Sequence, residues 1–399
     1  MIRGIRVGGA QGRAKRERGS AKPQLTSAAL IIGCSLLLLI ASAASLFAKC
    51  SVSDGETLVV RAPAGDLQVE TTARDSSVDV QVDNNVIQVQ ETCGKETVEF
   101  TSNTPSPAQI RGPITWRIVT PKNINLDLVT TTGNINVADT DGNAVLRTAG
   151  GSITTGKIKG KAAIITLGGF VKAGNIGSDA EIRSQGGTLE VGDIGGNAEF
   201  HTTAGQIRAG TIVGSVTAEG GRAIFIIKAG DVKATTNAGD ISIGDADRIN
   251  AKTAGGTITS RRVRGPFQGH TESGDIRLDS AAAWGEASTG SGNIVVHVIP
   301  DNIDGDLHMD LQAGIGDVTI YVPQRLKATI DATVQRPAFQ AQQIISDFPM
   351  NGIAPGRPVR GLIPNNRFFS PMHSQSLLNG GGNQIVLHTS LGKITIRRQ

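Results

Sequence analysis

The stretch GNINVADTDGNAVLRTAG (133–150), GSITTGKIKGKAAIITLG (151–168), GFVKAGNIGSDAEIRSQG (169–186), GTLEVGDIGGNAEFHTTA (187–204), GQIRAGTIVGSVTAEGGR (205–222) aligns with itself at a step of 18 residues without a gap. Self-similarity at a fixed period marks stacked structural units. The third position is Ile135, Ile153, Val171, Leu189 and Ile207, and the eighth is Ile158, Ile176, Ile194 and Ile212 from the second turn on. The twelfth is Ala144, Ala162, Ala180, Ala198 and Val216; the fourteenth runs Leu146, Ile164, Ile182, Phe200; the sixteenth runs Thr148, Thr166, Ser184, Thr202. Each turn therefore reads as three very short strands joined by three corners, with glycines near the sixth and tenth positions. Glycine suits a corner because it reaches positive φ without a Cβ clash. Stacking sets like residue over like at about 4.8 Å, so aliphatic columns fill the interior and the Thr/Ser column forms a hydroxyl ladder at a corner or outer face. Helix is excluded by the β-branched and glycine content and by the lack of a helical apolar stripe.

Outward from this block, the register slips at 223–238 and shortens by one residue at 239–255. The glycine–x–aliphatic signature then resumes at Gly239, Gly256, Gly274, Gly292 and Gly316. About ten turns at strand spacing predict a rod about 50 Å long. Upstream, ETLVV, GDLQVET, SVDVQV, NVIQVQ, ETVEF and TWRIV alternate with period two across 50–125, as half-buried strands do. Downstream, 335–379 is rich in Pro, Gln, Asn and Gly and reads as a long loop, after which 380–399 returns as one closing turn. The expected organisation is a basic cytoplasmic segment (1–24), a transmembrane signal anchor or signal peptide (25–48), an N-terminal β cap with the first turns (50–125), solenoid repeats (126–334), the loop (335–379) and the closing strand turn (380–399). The fold class is all-β, a single-stranded parallel β-solenoid preceded by one transmembrane helix. The strands of 50–125 and the C-terminal section are the natural caps of its exposed edges.

Composition narrows the function. Aromatic residues make up only 3% of the chain, low for an enzyme core but suited to a solenoid filled by Ile, Val, Leu and Ala. Residues 1–24 carry Arg3, Arg6, Arg13, Lys15, Arg16, Arg18 and Lys22 against Glu17, a net +6, which leaves −2 for the rest of a chain totalling +4. The body is nearly neutral, so charge gives no case for nucleic acid. The uncharged run LTSAALIIGCSLLLLIASAASLFA (25–48) is long enough to cross a bilayer, with the basic flank cytoplasmic and the body extracytoplasmic, in the periplasm or at the cell surface. A cleaved signal peptide with Ala41 and Ala43 at the cleavage site is the alternative. Cys50 and Cys93 are the two cysteines of the exported part and are candidates for a disulfide, with two free thiols as the other reading.

WRIVTPKNINLDLVTTTGNINV (116–137), the T-x-x-G-x-I of Thr253 to Ile258 and the ending GGGNQIVLHTSLGKITI (380–396) resemble the bacterial adhesin-like domain family, a domain of unknown function. The resemblance spans roughly residues 55–399. It implies a β-solenoid in the envelope or at the surface with an adhesive role, and it supplies no catalytic motif. The Pro-rich excursion at 335–379 departs from the family pattern.

Other chemistry is sparse. Asp240, Thr257, Asp275, Asn293 and Asp317 follow the repeat glycines and read as a polar turn column. PDNIDGDLHMD (300–310) holds Asp301, Asp304, Asp306, His308 and Asp310 but matches no calcium loop, and it reads as a solvated acidic turn. His201, His270, His297, His308, His373 and His388 show no zinc spacing. Trp116 reads as core; Trp284, at a predicted corner, and Phe368 and Phe369, in the excursion, are candidate partner contacts whose structural alternative is packing against the solenoid. No catalytic, cofactor or metal residue is nominated. The sequence thus leads to a non-enzymatic, membrane-anchored adhesion or binding scaffold whose partner is an envelope protein, polysaccharide or surface ligand. Its alternatives are a β-helical polysaccharide lyase or hydrolase and a self-polymerising scaffold.

Overall fold

The computed structural model describes residues 46–73, 75–84, 86–103, 112–336, 343–351 and 371–399, and among them every regular element is a β-strand. Successive strands alternate between two long sheets. Ile135–Val137, Ile153–Thr155, Val171–Ala173 and Leu189–Val191 pair in parallel in the first; Ala144–Thr148, Ala162–Thr166, Ala180–Ser184 and Ala198–Thr202 pair in parallel in the second. The register sets Ile153 beside Ile135 and Ile164 beside Leu146, 18 residues apart. Each turn gives one strand to each sheet and lies on the turn before it, so the architecture is solenoid-like.

The predicted third strand of each turn is smaller than expected. Thr140, Ile158, Ile176, Ile194 and Ile212 form a file of isolated parallel bridges. Glycines such as Gly156 and Gly160 flank the bridging residue and leave no room for a longer extended run. Past Ile212 the first-sheet strands lengthen, as in Ile241–Ala246 and Ile258–Val263, and absorb the third side.

The aliphatic columns do fill the interior. Ile135, Ile153, Leu189, Ile207, Ile241, Ile258, Ile276 and Ile294 are each 0% exposed. The Thr/Ser column is also buried, which corrects the hydroxyl-ladder expectation. Thr166 Oγ1 donates to the Gly151 carbonyl at 2.7 Å and accepts from the Gly169 N–H at 3.2 Å. The hydroxyl fastens two successive glycine corners rather than meeting the next hydroxyl. Those corners need glycine mainly for close approach: a Cβ on Gly151 would overlap the Gly133 carbonyl oxygen. At Gly274 a φ of +151° adds a conformational reason.

Both ends depart from the simple stack. Thr57–Ala62 lies between Thr97–Ser102 and Asn125–Thr130, and Asp66–Thr72 lies between Thr115–Pro121 and Ile135–Val137. The first turn in sequence is thus second in space, covered by a later excursion. The C-terminal end repeats the device. Asn383–Leu391 is inserted between Met309–Ile315 and Ala328–Val334, and Ile394–Arg398 between Val318–Val322 and Ile344–Ser346. The closing turn of the sequence is therefore not the last layer. Nor is 335–379 wholly a loop, because Ile344–Ser346 and Met372–Leu378 are strands. Each end finishes with antiparallel strands: Leu46–Ser51 on Ser77–Val82 and Val89–Cys93 on Thr97–Ser102 at one, Met372–Leu378 on Ala328–Val334 at the other.

All six strands expected in 50–125 form, but NVIQVQ pairs later in sequence, as Val89–Cys93. Residues up to 45 of the expected membrane span lie outside the described residues. The remainder of that span, 46–48, belongs to Leu46–Ser51, where pairing to Ser77–Val82 claims its backbone. Among the described residues no helix is long and apolar enough to cross a membrane.

Candidate functional site

The corner carboxylates and amides serve the backbone. Asp240 Oδ1 accepts the Thr257 N–H at 2.8 Å, Asp275 Oδ1 that of Asn293 at 2.7 Å and Asp317 Oδ1 that of Lys393 at 2.8 Å. Asn293 Oδ1 likewise accepts the Asp317 N–H at 2.9 Å, so the Asp and Asn members of the polar turn column fasten their turn to the one stacked on it. A second corner uses Asp139 to Lys157 (2.8 Å) and Asp193 to Thr211 (2.8 Å); a third uses Asn143 to Lys161 (2.8 Å) and Asp179 to Asn197 (3.0 Å). The Asn197 N–H, and then Lys161, hold the Asp179 carboxyl below the usual carboxylate range. In the 300–310 turn the side chains diverge. Asp301 binds Arg262 at 2.8 Å, Asp306 binds His308 at 2.6 Å and Asp310 takes the Gln312 amide at 2.9 Å. The His308 hydrogen bond lowers the Asp306 pKa. Among the described residues no group of three or more His, Cys, Asp or Glu could hold a metal ion.

Cys50 and Cys93 are bonded, with Cα atoms 5.7 Å apart. The bridge joins Leu46–Ser51 of the first sheet to Val89–Cys93 of the second. Trp116 is fully buried and its Nε1–H donates to the Ala64 carbonyl at 3.1 Å. Trp284 is half-buried and its ring stacks on His308, with centroids 5.1 Å apart and planes at 11°. Phe368 and Phe369 lie outside the described residues. On the first sheet, His297 stacks on Tyr321 at 4.0 Å, and burial, followed by the nearby Arg277, lowers its pKa.

The feature that sequence reasoning missed is the outer face of the second sheet. Its outward residues are the thirteenth and fifteenth of each turn, between the apolar columns that drew attention. Strand register extends the thirteenth position as Val145, Ala163, Glu181, Glu199, Thr217, Lys233, Asn250, Gln268, Glu286 and Asp310. The fifteenth runs beside it as Arg147, Ile165, Arg183, His201, Glu219, Thr235, Lys252, His270, Ser288 and Gln312. Three depressions lie along these files. The first, over Val145 and Ala163, shares Ser215 and Thr217 with the next, which shares Asn250 and Gln268 with the third. They adjoin across ten strands, from Ala144–Thr148 to Met309–Ile315, as a shallow stepped groove: the first two lie on the corner side of the thirteenth file, by Asn143, Lys161 and Ser215, and the third between the two files. Nine strand steps give it a length of about 43 Å.

Much of the groove is paired along its own axis. Arg183 binds Glu181 at 2.8 Å and Glu199 at 2.6 Å, and Lys161 lies 3.0 Å from Asp179. Asn250 donates to Gln268 at 3.3 Å, and Gln268 donates to Glu286 at 3.1 Å. Glu286 and Asp310 stand directly opposite on neighbouring strands, each held by a glutamine amide rather than a cation. Like charges directly opposite destabilise a sheet, so this pair is not explained by folding.

No protein-family model and no curated protein matches the chain. Among solved structures it is similar to a putative cell adhesion protein from Clostridium sporogenes (8% identity, 89% of this chain and 100% of that one, TM-score 0.18). It is also similar to a putative adhesin from Bacteroides fragilis (13%, 69% and 96%, TM-score 0.20) and to a putative lipid binding protein from Parabacteroides distasonis (13%, 67% and 93%, TM-score 0.26). Likeness at these scores carries no argument about what this chain binds. Two of these three neighbours bear the adhesion name of the family that residues 116–137 and 380–396 resemble.

Proposed function

We propose that the chain is a non-enzymatic adhesion or binding scaffold of the bacterial envelope, tethered through the apolar run that precedes Leu46–Ser51, with its β-body outside the cytoplasm. The observation that carries this reading is the run of adjoining open depressions along the outer face of the second sheet, apolar over Val145 and Ala163 and polar over Gln268 and Glu286, combined with corner carboxylates already engaged by backbone. A long flat face in strand register suits many weak contacts summed along one partner. The test is a pull-down from native envelope with the full chain. Specific retention of an envelope component, lost when outward groove residues are changed, supports the reading. Retention no greater than on an inert β-protein of similar charge would sink it.

A second reading, a β-helical carbohydrate-active enzyme, is favoured by the Glu286–Asp310 pair, because acid–base cleavage of a glycoside uses two carboxylates in one groove. The Glu181–Glu199 pair suits it less, since Arg183 occupies an oxygen of each. Turnover of a polysaccharide that Glu286→Gln abolishes would replace the scaffold reading with this one.

A further inference from the structure

We propose that the second-sheet groove binds a neutral, linear polysaccharide laid along the stacking axis; this rests on the scaffold reading and names its ligand class. The shape is the first argument. The groove is open and runs through three adjoining depressions over about 43 Å at strand spacing, so it fits an extended polymer rather than a small molecule.

The chemistry is the second argument. Ionised carboxylates only accept hydrogen bonds and offer about four acceptor sites each. Glu286 takes one amide, and Asp310 takes one amide across its two oxygens, so both retain acceptor capacity facing solvent. Hydroxyl groups are donors that meet that need without adding charge. The amide–amide–carboxylate file of Asn250, Gln268 and Glu286 repeats this polar character from strand to strand, as a polymer with repeating hydroxyls requires.

Charge is the third argument. Along the two files Glu181, Glu199, Glu219, Glu286 and Asp310 lie among Arg147, Arg183, Lys233 and Lys252, and Lys252 lines the same depression as Glu286 and Asp310, so the charge of the groove nearly cancels. A polyanion such as nucleic acid or a uronic-acid polymer finds no excess of positive charge there, and a neutral chain needs none. Trp284 forms part of one wall, with one face of its ring covered by His308.

The full chain is titrated with neutral linear oligosaccharides of two to eight sugars, drawn from β-glucan, mannan, galactan and chitin series, and with polygalacturonate. At least one neutral series should bind with affinity rising with chain length and with little change between low and high salt. The double variant Gln268→Ala/Glu286→Ala should weaken it about tenfold or more. Ser242→Ala, on the first sheet, should leave it unchanged, and unchanged melting temperatures show that both variants fold. The proposal is overturned if no neutral series binds above the double variant, if the first-sheet variant weakens binding equally, or if only the polyanion binds with steep salt dependence. It is equally overturned if an extended peptide captured from the envelope occupies the groove. Should the full chain still retain envelope material while neutral glycans fail, this inference falls and the scaffold reading stands; should it retain none, the scaffold reading falls on its own test.

Discussion

The two ends of the stack reach one topology in the second sheet from unrelated sequences. At the N-terminal end, Thr57–Ala62 and Asp66–Thr72 are covered by the excursion that follows them; at the C-terminal end, Asn383–Leu391 and Ile394–Arg398 are covered by the excursion that precedes them. In the second sheet of both, an internal segment, Val89–Cys93 or Met372–Leu378, is the outermost strand and runs antiparallel; in the first sheet the edge is the antiparallel Leu46–Ser51 at one end and the parallel Ile344–Ser346 at the other. An antiparallel outer strand breaks the parallel template that would otherwise invite another copy to continue the stack. The fastenings differ. The first end is joined covalently through Cys50 and Cys93. The second relies on Asp347, bound by Arg397 at 3.1 Å and by the Arg398 N–H at 3.1 Å, and on Ser376 donating to the Pro349 carbonyl at 2.6 Å. The same edge problem is solved once by a crosslink and once by side-chain bonds.

The largest effect expected from this comparison comes from deletion. Removing 383–399 takes out a layer that Ala328–Val334 and Ile344–Ser346 sit on, so hydrogen-exchange protection should vanish across 328–334, 344–346 and 372–378. Removing 169–204 takes out two whole turns and brings Gly205 into the place of Gly169, so the body should stay folded and become shorter. If the C-terminal deletion is as mild as the central one, the inserted layer is not holding that end.

The middle and the ends were not equally legible. In the middle, each residue sits on its own counterpart 18 positions away, so columns written from sequence are the columns of the structure. At the ends, Leu58 meets Leu126 and Ile330 meets Ile385, separations with no period to reveal them. Period-two alternation looks the same in parallel and antiparallel strands, so the reversals at Leu46–Ser51 and Met372–Leu378 left no mark. The groove was half legible. Its positions were fixed once the apolar columns were written, but side chains such as Glu181, Lys233 and Gln268 share no residue type, and only register shows that they form a file.

Loss of the crosslink should be the next largest effect. Cys50→Ser with Cys93→Ser opens a loop whose ends are 43 residues apart, and the chain-entropy account puts this at about 3–4 kcal/mol. The loss should appear in a denaturant melt and in early proteolysis near 46–103, with 309–399 unaffected. A loss spread evenly along the body would mean that the two ends unfold as one and that their fastenings are not independent. Thr166→Val in the central stack follows. It leaves the Gly151 carbonyl and the Gly169 N–H without their bonds to a buried hydroxyl, costing about 1–3 kcal/mol. A neutral result would show that the middle depends on apolar columns alone.

Asp347→Ala tests the second fastening at about 1 kcal/mol or less, because its Arg397 partner is 43% exposed and solvent screens the pair. Its effect should be confined to 343–351 and 394–398 in hydrogen exchange. A change near Cys50 would contradict the independence of the two ends.

The smallest expected effect is pH-dependent, and it too separates the ends. All six histidines lie beyond residue 200, so the N-terminal end has none. His297 is the one whose pKa the fold lowers from 6.5, first by burial and then by Arg277. A lowered base binds its proton less readily when folded than when unfolded, so folding is disfavoured as pH falls. Its contribution is intact well above pH 6.5, declines as the pH drops through that value, and stops changing below the lowered folded pKa. His297→Phe keeps a ring beside Tyr321 and removes the titration. Between pH 7.5 and 5.5 the native chain should lose about 1 °C more in melting temperature than this variant. Exchange corrected for intrinsic pH dependence should place that loss near 294–322. If acid loosens the disulfide-joined end first, the contrast between the two fastenings is wrong in its most basic respect, because the crosslinked end carries no histidine.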